Sequence, residues 1–291
     1  MKTGIVGCGK RAHAHAEAAL ASGRIDLVAC ADIVVDQAHA FAAQYAIPRA
    51  YADMETMLRE ERLDLVILVT WPEQHLEQIR LACDLHVPAI LCEKSLALSG
   101  EEGDEILRLV RASGTFLMEG LMYRHHPQIQ KAKELVGEGA IGELGYIHAH
   151  FSAPVNLASG ASNWRNRPGA GGSMAAKGCY LVDALTFFAD SAPVEVFARA
   201  TSTPEGVEVA QTATMVFANG VTGHFESSHR VAWREHITLS GTKGTLIIPH
   251  AIVTKTQPRH IELHRGGIFE NRPMAIERFD FPVQDSTQLQ L

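Results

Sequence analysis

The chain has no apolar run approaching the roughly 20 residues that span a bilayer. Its first residues lead straight into a strand, with no secretory hydrophobic core. Neither a membrane partner nor export is therefore expected. It has no lysine or arginine run, and 26 basic against 33 acidic residues leave a net charge of -7. That balance excludes a broad surface for a phosphate backbone, so nucleic acid is not an expected partner. Cysteine is sparse: Cys8, Cys30, Cys83, Cys92 and Cys179 make an odd count with no paired metal-like spacing, several of them inside apolar runs. A thiol there acts as a small hydrophobe, and a reducing cytoplasm is the expected compartment. Fifteen histidines include the close pairs His13/His15, His125/His126 and His148/His150. None has companion Cys or carboxylate ligands at a recognised spacing, so no metal is expected. Internal repeats and low-complexity tracts are also missing. What remains is ordinary for a globular protein: 291 residues, 46% hydrophobic and 20% charged, enough for two cores.

The most informative segment lies at the start. Ile5 and Val6 run into Gly7-Cys8-Gly9-Lys10-Arg11-Ala12, and an Ala-rich helical stretch follows. The first glycine permits a tight bend, the second lets backbone approach a pyrophosphate, and Ala12 allows close helix-strand packing, with phosphate charge at the helix N-terminus. A second apolar run, Ile25 to Cys30, ends at Asp32, where a carboxylate meets the adenosine ribose hydroxyls. A carboxylate repels a 2′-phosphate, and Ile33-Val34-Val35 brings no arginine to receive one. NAD is therefore the expected cofactor, with NADP left open because Lys10 or Arg11 can swing toward a phosphate.

Up to about Gly120, apolar strands alternate with helical periodicity: Leu63 to Val69, a helix opened by Pro72, Val87 to Cys92, a helix with Ser99 and Glu102 as a capping box, and Thr115 to Glu119. This βαβ order predicts an α/β Rossmann dinucleotide-binding domain over residues 1–121. After Arg124 the texture changes. A helix from Pro127 to Val136 and a strand from near Leu144 precede the glycine-rich loop at Gly169 to Gly172 and a helix from Met174 to Phe188. Alternating runs then follow at Val194 to Thr201, Val207 to Phe217, Val221 to Ser227, Glu235 to Leu239 and Thr245 to Ile248, with an Asn219-Gly220 hairpin signal. Residues 122–291 are thus expected to form an α+β domain with an open, mainly antiparallel sheet, serving substrate binding and oligomerisation. Thr70, Trp71, Pro72 and His75 fall where the fourth strand meets its helix, beside the nucleotide. Glu93-Lys94 ends the next strand and brings charge to the sheet's carboxyl edge; a solvated strand end explains the pair equally well.

Together these segments resemble the Gfo/Idh/MocA oxidoreductases, the relatives of glucose-fructose oxidoreductase, inositol dehydrogenase and dihydrodiol dehydrogenase, over nearly the whole chain. The resemblance implies a catalytic lysine near the nicotinamide at Lys94, although Ser95 stands where the family has proline. Tyr123-Arg124 with Pro127, the Gly139 to Gly142 turn and Trp164-Arg165 are further family-like positions. Trp164 and Arg165 are implied as cofactor contacts, a packed loop anchor being the other reading of Trp164, and a surface ion pair that of Arg124. In Gly171-Gly172-Ser173-Met174-Ala175-Ala176-Lys177-Gly178-Cys179-Tyr180-Leu181-Val182-Asp183, the family's usual Asp is replaced by Ala176 and its His by Tyr180. Tyr180 is implied as the proton-transfer residue, with a core aromatic as the competing reading. Arg124, Lys177 and Asp183 are implied as substrate-binding.

If Lys94 and Tyr180 converge, the ammonium favours the phenolate, and Tyr180 acts as a general base in hydride transfer between a nicotinamide and a secondary alcohol or ketone of a sugar, cyclitol or related ring. Ala176 and Ser95 keep two alternatives open: a catalytically inactive nucleotide-binding sensor or subunit, and a redox-neutral NAD-dependent sugar-modifying enzyme. The expected partners are a carbohydrate-like small molecule and further copies of the chain, as homodimer or homotetramer. The family usually continues past Gln284 to Leu291, so part of its usual packing is expected to be absent or replaced.

Overall fold

The structure, a computed structural model, describes residues 1–253, 257–267 and 272–291. It divides into two compact units, residues 1–122 with 287–291 and residues 123–286. The closing residues, assigned to the second domain from the sequence, group with the first unit. There Arg11 Nη1 donates to Thr287 Oγ1 at 3.2 Å, Gln290 Nε2 donates to the Glu119 carbonyl at 3.5 Å, and Leu291 packs on the core.

The first unit is built on six parallel strands: β1 (Lys2–Val6), β2 (Asp26–Ala31), β3 (Arg49–Tyr51), β4 (Leu65–Leu68), β5 (Ala89–Cys92) and β6 (Phe116–Glu119). Their order is β3-β2-β1-β4-β5-β6. β4 is buried at every residue, as a strand covered on both faces must be, which is why it reads as a continuous apolar run. Ile5, Ile67 and Leu91 pack on one face with α1 (Lys10–Ser22) and α2 (Val35–Tyr45), through Ala12, Ala16 and Phe41. Val6, Val66 and Leu68 pack on the other with α3 (Met54–Glu60), α4 (His75–Asp84) and α5 (Gly100–Ser113), through Met57, Ile79 and Ile106. Chain order reverses between β1 and β4, which opens a crevice at the carboxyl ends of the central strands. Ser99 caps α5, its Oγ accepting the Glu102 N–H at 3.2 Å. Pro72 opens a single 3-10 turn (Pro72–Gln74) ahead of α4, rather than α4 itself.

The second unit carries eight strands in the order β14-β13-β12-β11-β7-β10-β9-β8. They are β7 (Leu144–Ser152), β8 (Pro193–Ser202), β9 (Glu208–Phe217), β10 (Thr222–Ser228), β11 (Arg234–Gly241), β12 (Gly244–Pro249), β13 (Arg259–Gly267) and β14 (Arg272–Phe281). Pairing is antiparallel except between β7 and β10. α6 (Pro127–Gly137) and α7 (Cys179–Ala189) pack against this sheet. Gly220, at φ +86°, supplies the positive dihedral of the β9–β10 hairpin. The helix expected from Met174 instead begins with a π-turn over Met174–Gly178, closed by a bond from Cys179 N to the Met174 carbonyl. Gly178 allows this turn to press on β9: a Cβ there would lie 2.5 Å from Gln211 Nε2.

Candidate functional site

In the first unit the glycine turn has the shape its sequence requires. Gly7 sits at φ +87°, and a Cβ on it would lie 3.0 Å from the Val69 carbonyl, so both its dihedral and its neighbour demand glycine. Gly9 is the N-cap of α1 and provides no side-chain cap. A Cβ there would have Gln37 Nε2 as its nearest neighbour, at 3.9 Å, leaving the space in front of the turn open. That space belongs to a cavity of about 430 Å³ whose wall includes Gly7, Gly9, Asp32, Val69, Thr70 and Trp71. Asp32 is oriented by three donors: the Cys8 N–H at 2.7 Å and the Gln37 amide at 3.3 Å on Oδ2, and the Val34 N–H at 2.9 Å on Oδ1. The uncapped end of a helix, two glycines and a strand-end carboxylate suit a dinucleotide, with the pyrophosphate on the turn and the adenosine ribose at Asp32.

The cavity therefore gathers Gly7, Gly9, Asp32, Thr70 and Trp71 from the expected cofactor set. Other members of that set lie elsewhere in the unit. Ala12 is fully buried beneath the turn, and Lys10 and Arg11 open α1. Arg11 Nε donates to Glu93 Oε1 at 2.6 Å, and His15 Nε2 lies 2.7 Å from the same oxygen. Burial by itself would raise the Glu93 carboxyl; the His15 bond and the Arg11 guanidinium outweigh it and hold the group well below the usual carboxylate range. Glu93 thus ties the end of β5 to α1, immediately before Lys94. Pro72 is buried, and His75 is fully buried at the start of α4. His75 Nδ1 donates to the Ser95 carbonyl at 2.9 Å, and burial lowers its pKa. The Lys94–Ser95 peptide bond is cis.

Sequence reading missed four polar wall residues, Gln37, Asp53, Gln74 and Gln78. Asp53 had a legible signal, since it N-caps α3, its Oδ1 accepting the Thr56 N–H at 2.7 Å. The glutamines carried none, because neutral amides on helix faces are ordinary surface residues.

In the second unit, Tyr180 is buried at the start of α7. Its ring meets Tyr123 edge-on at 6.0 Å and Phe151 at 6.1 Å. Asp183, one turn on, accepts the Tyr123 hydroxyl at 2.5 Å and a two-pronged bond from Arg124 at 2.8 and 2.6 Å. Burial pushes the Tyr123 phenol up, and the Asp183 charge adds to the effect. Arg124 also stands 4.7 Å over the Phe187 ring. Lys177, in the π-turn, is buried and its amine donates to Nδ1 of the buried His229. Trp164 and Arg165 lie in a 3-10 turn (Trp164–Asn166), the guanidinium 4.8 Å over the indole. Burial lowers the Arg165 pKa, and Tyr180 acts on it electrostatically in the opposite sense.

Fold and site together define a protein of two compact units, the first of them a Rossmann-type dinucleotide-binding unit. Residues 1–121 match the family described as "Oxidoreductase family, NAD-binding Rossmann fold", and residues 129–247 match the GFO/IDH/MocA C-terminal domain. The chain belongs to the Gfo/Idh/MocA family. D-xylose 1-dehydrogenase (NADP(+)) 2 of Haloferax volcanii is 34% identical over 72% of this chain and 64% of its own length. Trans-1,2-dihydrobenzene-1,2-diol dehydrogenase of Mus musculus is 28% identical over 77% of this chain and 67% of its own. The matches thus span about two thirds of the length of these curated relatives. Among solved structures, KijD10, a 3-ketoreductase from Actinomadura kijaniata in complex with NADP and TDP-benzene, superposes with a TM-score of 0.85 at 23% identity, over 99% of this chain and 86% of that one. At that identity the likeness establishes the fold.

Proposed function

We propose that this chain is an NAD(P)-dependent oxidoreductase that moves a hydride between a nicotinamide and a secondary alcohol or ketone of a sugar, cyclitol or related ring compound. The observation that carries the reading is the cavity at the carboxyl edge of the parallel sheet, walled by Gly7, Gly9 and Asp32, in a chain of this family. The names of the xylose and dihydrobenzenediol dehydrogenases support the substrate class. A bound nicotinamide supplies the carbon that accepts or donates the hydride.

The chain supplies binding and proton transfer. The turn at Gly7 and Gly9, with the N-terminus of α1, holds the pyrophosphate, and Asp32 accepts from the adenosine ribose. Thr70, Trp71 and the strand end at Glu93-Lys94 serve the nicotinamide half, and Trp164 and Arg165 are assigned to the cofactor as well. Tyr180 takes the proton of the substrate hydroxyl during oxidation and returns it during reduction. Lys94 serves the same transfer. The Arg165 guanidinium interacts electrostatically with Tyr180. Arg124, Lys177 and Asp183 bind substrate, Asp183 being held in place by Tyr123 and Arg124.

We assign the first unit to the nucleotide and the second, residues 123–286, to substrate and self-association. A homo-oligomer is supported by edge strand β8, exposed along its whole length with Val194, Val196 and Phe197 among its residues. A reducing cytoplasm is supported by five free cysteines. Among the described residues no helix is long and apolar enough to cross a membrane. The test is a panel of sugars, cyclitols and dihydrodiols with NAD and NADP, followed by net nicotinamide reduction. Tyr180→Phe should lose turnover while binding dinucleotide normally. Wild-type protein that binds dinucleotide yet turns over nothing on the panel would contradict the enzyme reading, and turnover without net reduction would point to the redox-neutral cycle.

A further inference from the structure

Asp32 has little capacity left for a ligand. A carboxylate offers about four acceptor sites, and three donors already occupy it: the backbone N–H groups of Cys8 and Val34 and the side-chain amide of Gln37. An adenosine ribose presents two vicinal hydroxyls, so the strand-end acid satisfies at most one without losing a bond it already makes. Gln37 stands where the second partner is needed. It is the third residue of α2, exposed, part of the cavity wall, and its Nε2 reaches both Asp32 Oδ2 at 3.3 Å and the space above Gly9, 3.9 Å from where a Cβ would be. The same wall holds a second carboxylate, Asp53, which the N-cap bonds from Thr56 keep ionised. No lysine or arginine is among the residues that form this wall. Of the two cations that follow the turn, Arg11 donates instead to Glu93 and Thr287, and Lys10, exposed at the start of α1, is not among the wall residues.

We propose that Gln37 determines which dinucleotide the cradle accepts: its amide bridges Asp32 and the adenosine ribose, its oxygen receives the second hydroxyl, and the carboxylates of Asp32 and Asp53 turn away a 2′-phosphate. The inference rests on the nucleotide reading above and deepens it. A phosphate placed at the ribose 2′ position would meet two like charges and a neutral amide, with no cation in the wall to offset them. An amide, by contrast, can both donate to Asp32 and accept from a hydroxyl, which a 2′-phosphate cannot offer.

The test is direct titration of the full chain with NADH and with NADPH, read by nicotinamide fluorescence and by calorimetry. It compares wild type with Gln37→Arg and Asp53→Asn. Gln37 is exposed, and Asn caps a helix about as well as Asp, so both variants should fold. Wild type should bind NADH at least tenfold or so more tightly than NADPH. Gln37→Arg should move that ratio toward NADPH by roughly tenfold, and Asp53→Asn should narrow it severalfold. A wild type that binds both equally, or a Gln37→Arg ratio that stays put, would overturn the assignment while leaving the nucleotide site intact. Binding of neither dinucleotide would overturn the nucleotide reading itself, and this inference with it.

Discussion

Replacing Glu93 by Gln probes the junction between the phosphate-binding helix and the strand that ends at Lys94. The Glu93 side chain is only 8% exposed, and its Oε1 takes bonds of 2.6 Å from Arg11 and 2.7 Å with His15. Removing one partner of a buried pair typically costs about 3–5 kcal/mol, because the opposite charge is left without compensation. Gln keeps one acceptor, and Arg11 is 31% exposed and so partly solvated, which places the expected loss near the lower end, about 3 kcal/mol. For a unit of this size that corresponds to a fall in melting midpoint on the order of 10 °C. Acid supplies a second signature. The Glu93 carboxyl is held low in the folded state, so its contribution is fully present above the unfolded value, about pH 4.3. It is lost as pH falls from there through the folded value. The stability gap between wild type and Glu93→Gln, measured by denaturant melts at several pH values, should therefore shrink below about pH 4. Equal stability at neutral pH, or a gap that acid leaves unchanged, would refute the view of Glu93 as a compensated buried charge.

Gly7→Ala meets a φ of +87° and a carbonyl 3.0 Å from the new methyl; it should cost on the order of 1–3 kcal/mol and abolish NADH binding, both checked by melting with and without dinucleotide. Asp183→Asn leaves the buried Tyr123 hydroxyl and Arg124 with a neutral partner in place of a 2.5–2.8 Å charged one. A loss of about 2 kcal/mol is expected, together with a raised KM if this pair frames the substrate. His150, lowered to about 4 by burial, Arg234 and the stacked His236, should titrate near that value in NMR. Because the unfolded imidazole protonates first, near pH 6.5, stability should fall as pH drops from there toward the folded value.

The parallel sheet was legible because strands buried on both faces leave uninterrupted apolar runs, as at Leu65–Leu68, and because Gly7 supplies the positive φ of the tight turn that follows β1. β3 was invisible, being three residues long with an exposed start. β13 and β14 were missed because their strands interleave Arg, His and Glu with the apolar positions; His264, for example, bonds Glu262 along its own strand. The π-turn before Tyr180 depends on how closely Gly178 meets Gln211 of β9, a tertiary contact that no local pattern records. At the site, motif residues such as Gly7, Gly9 and Asp32 were readable from the residues alone. The tyrosine at 180 had meaning only through family resemblance, and the wall residue Gln37 gave no signal until the fold placed it beside Asp32. The pairing of Arg11 with Glu93 was likewise hidden, since 82 positions separate them in the chain.

Isotope transfer tests the central claim most directly. The chain is incubated with NAD or NADP and with sugars, cyclitols and dihydrodiols carrying deuterium on the ring carbons that bear hydroxyls, and the recovered nicotinamide is weighed by mass spectrometry. The account predicts deuterium on the reduced nicotinamide from at least one of these substrates, with the label lost in Tyr180→Phe. Product formed with its deuterium retained or released to water, and none on the nicotinamide, would contradict it.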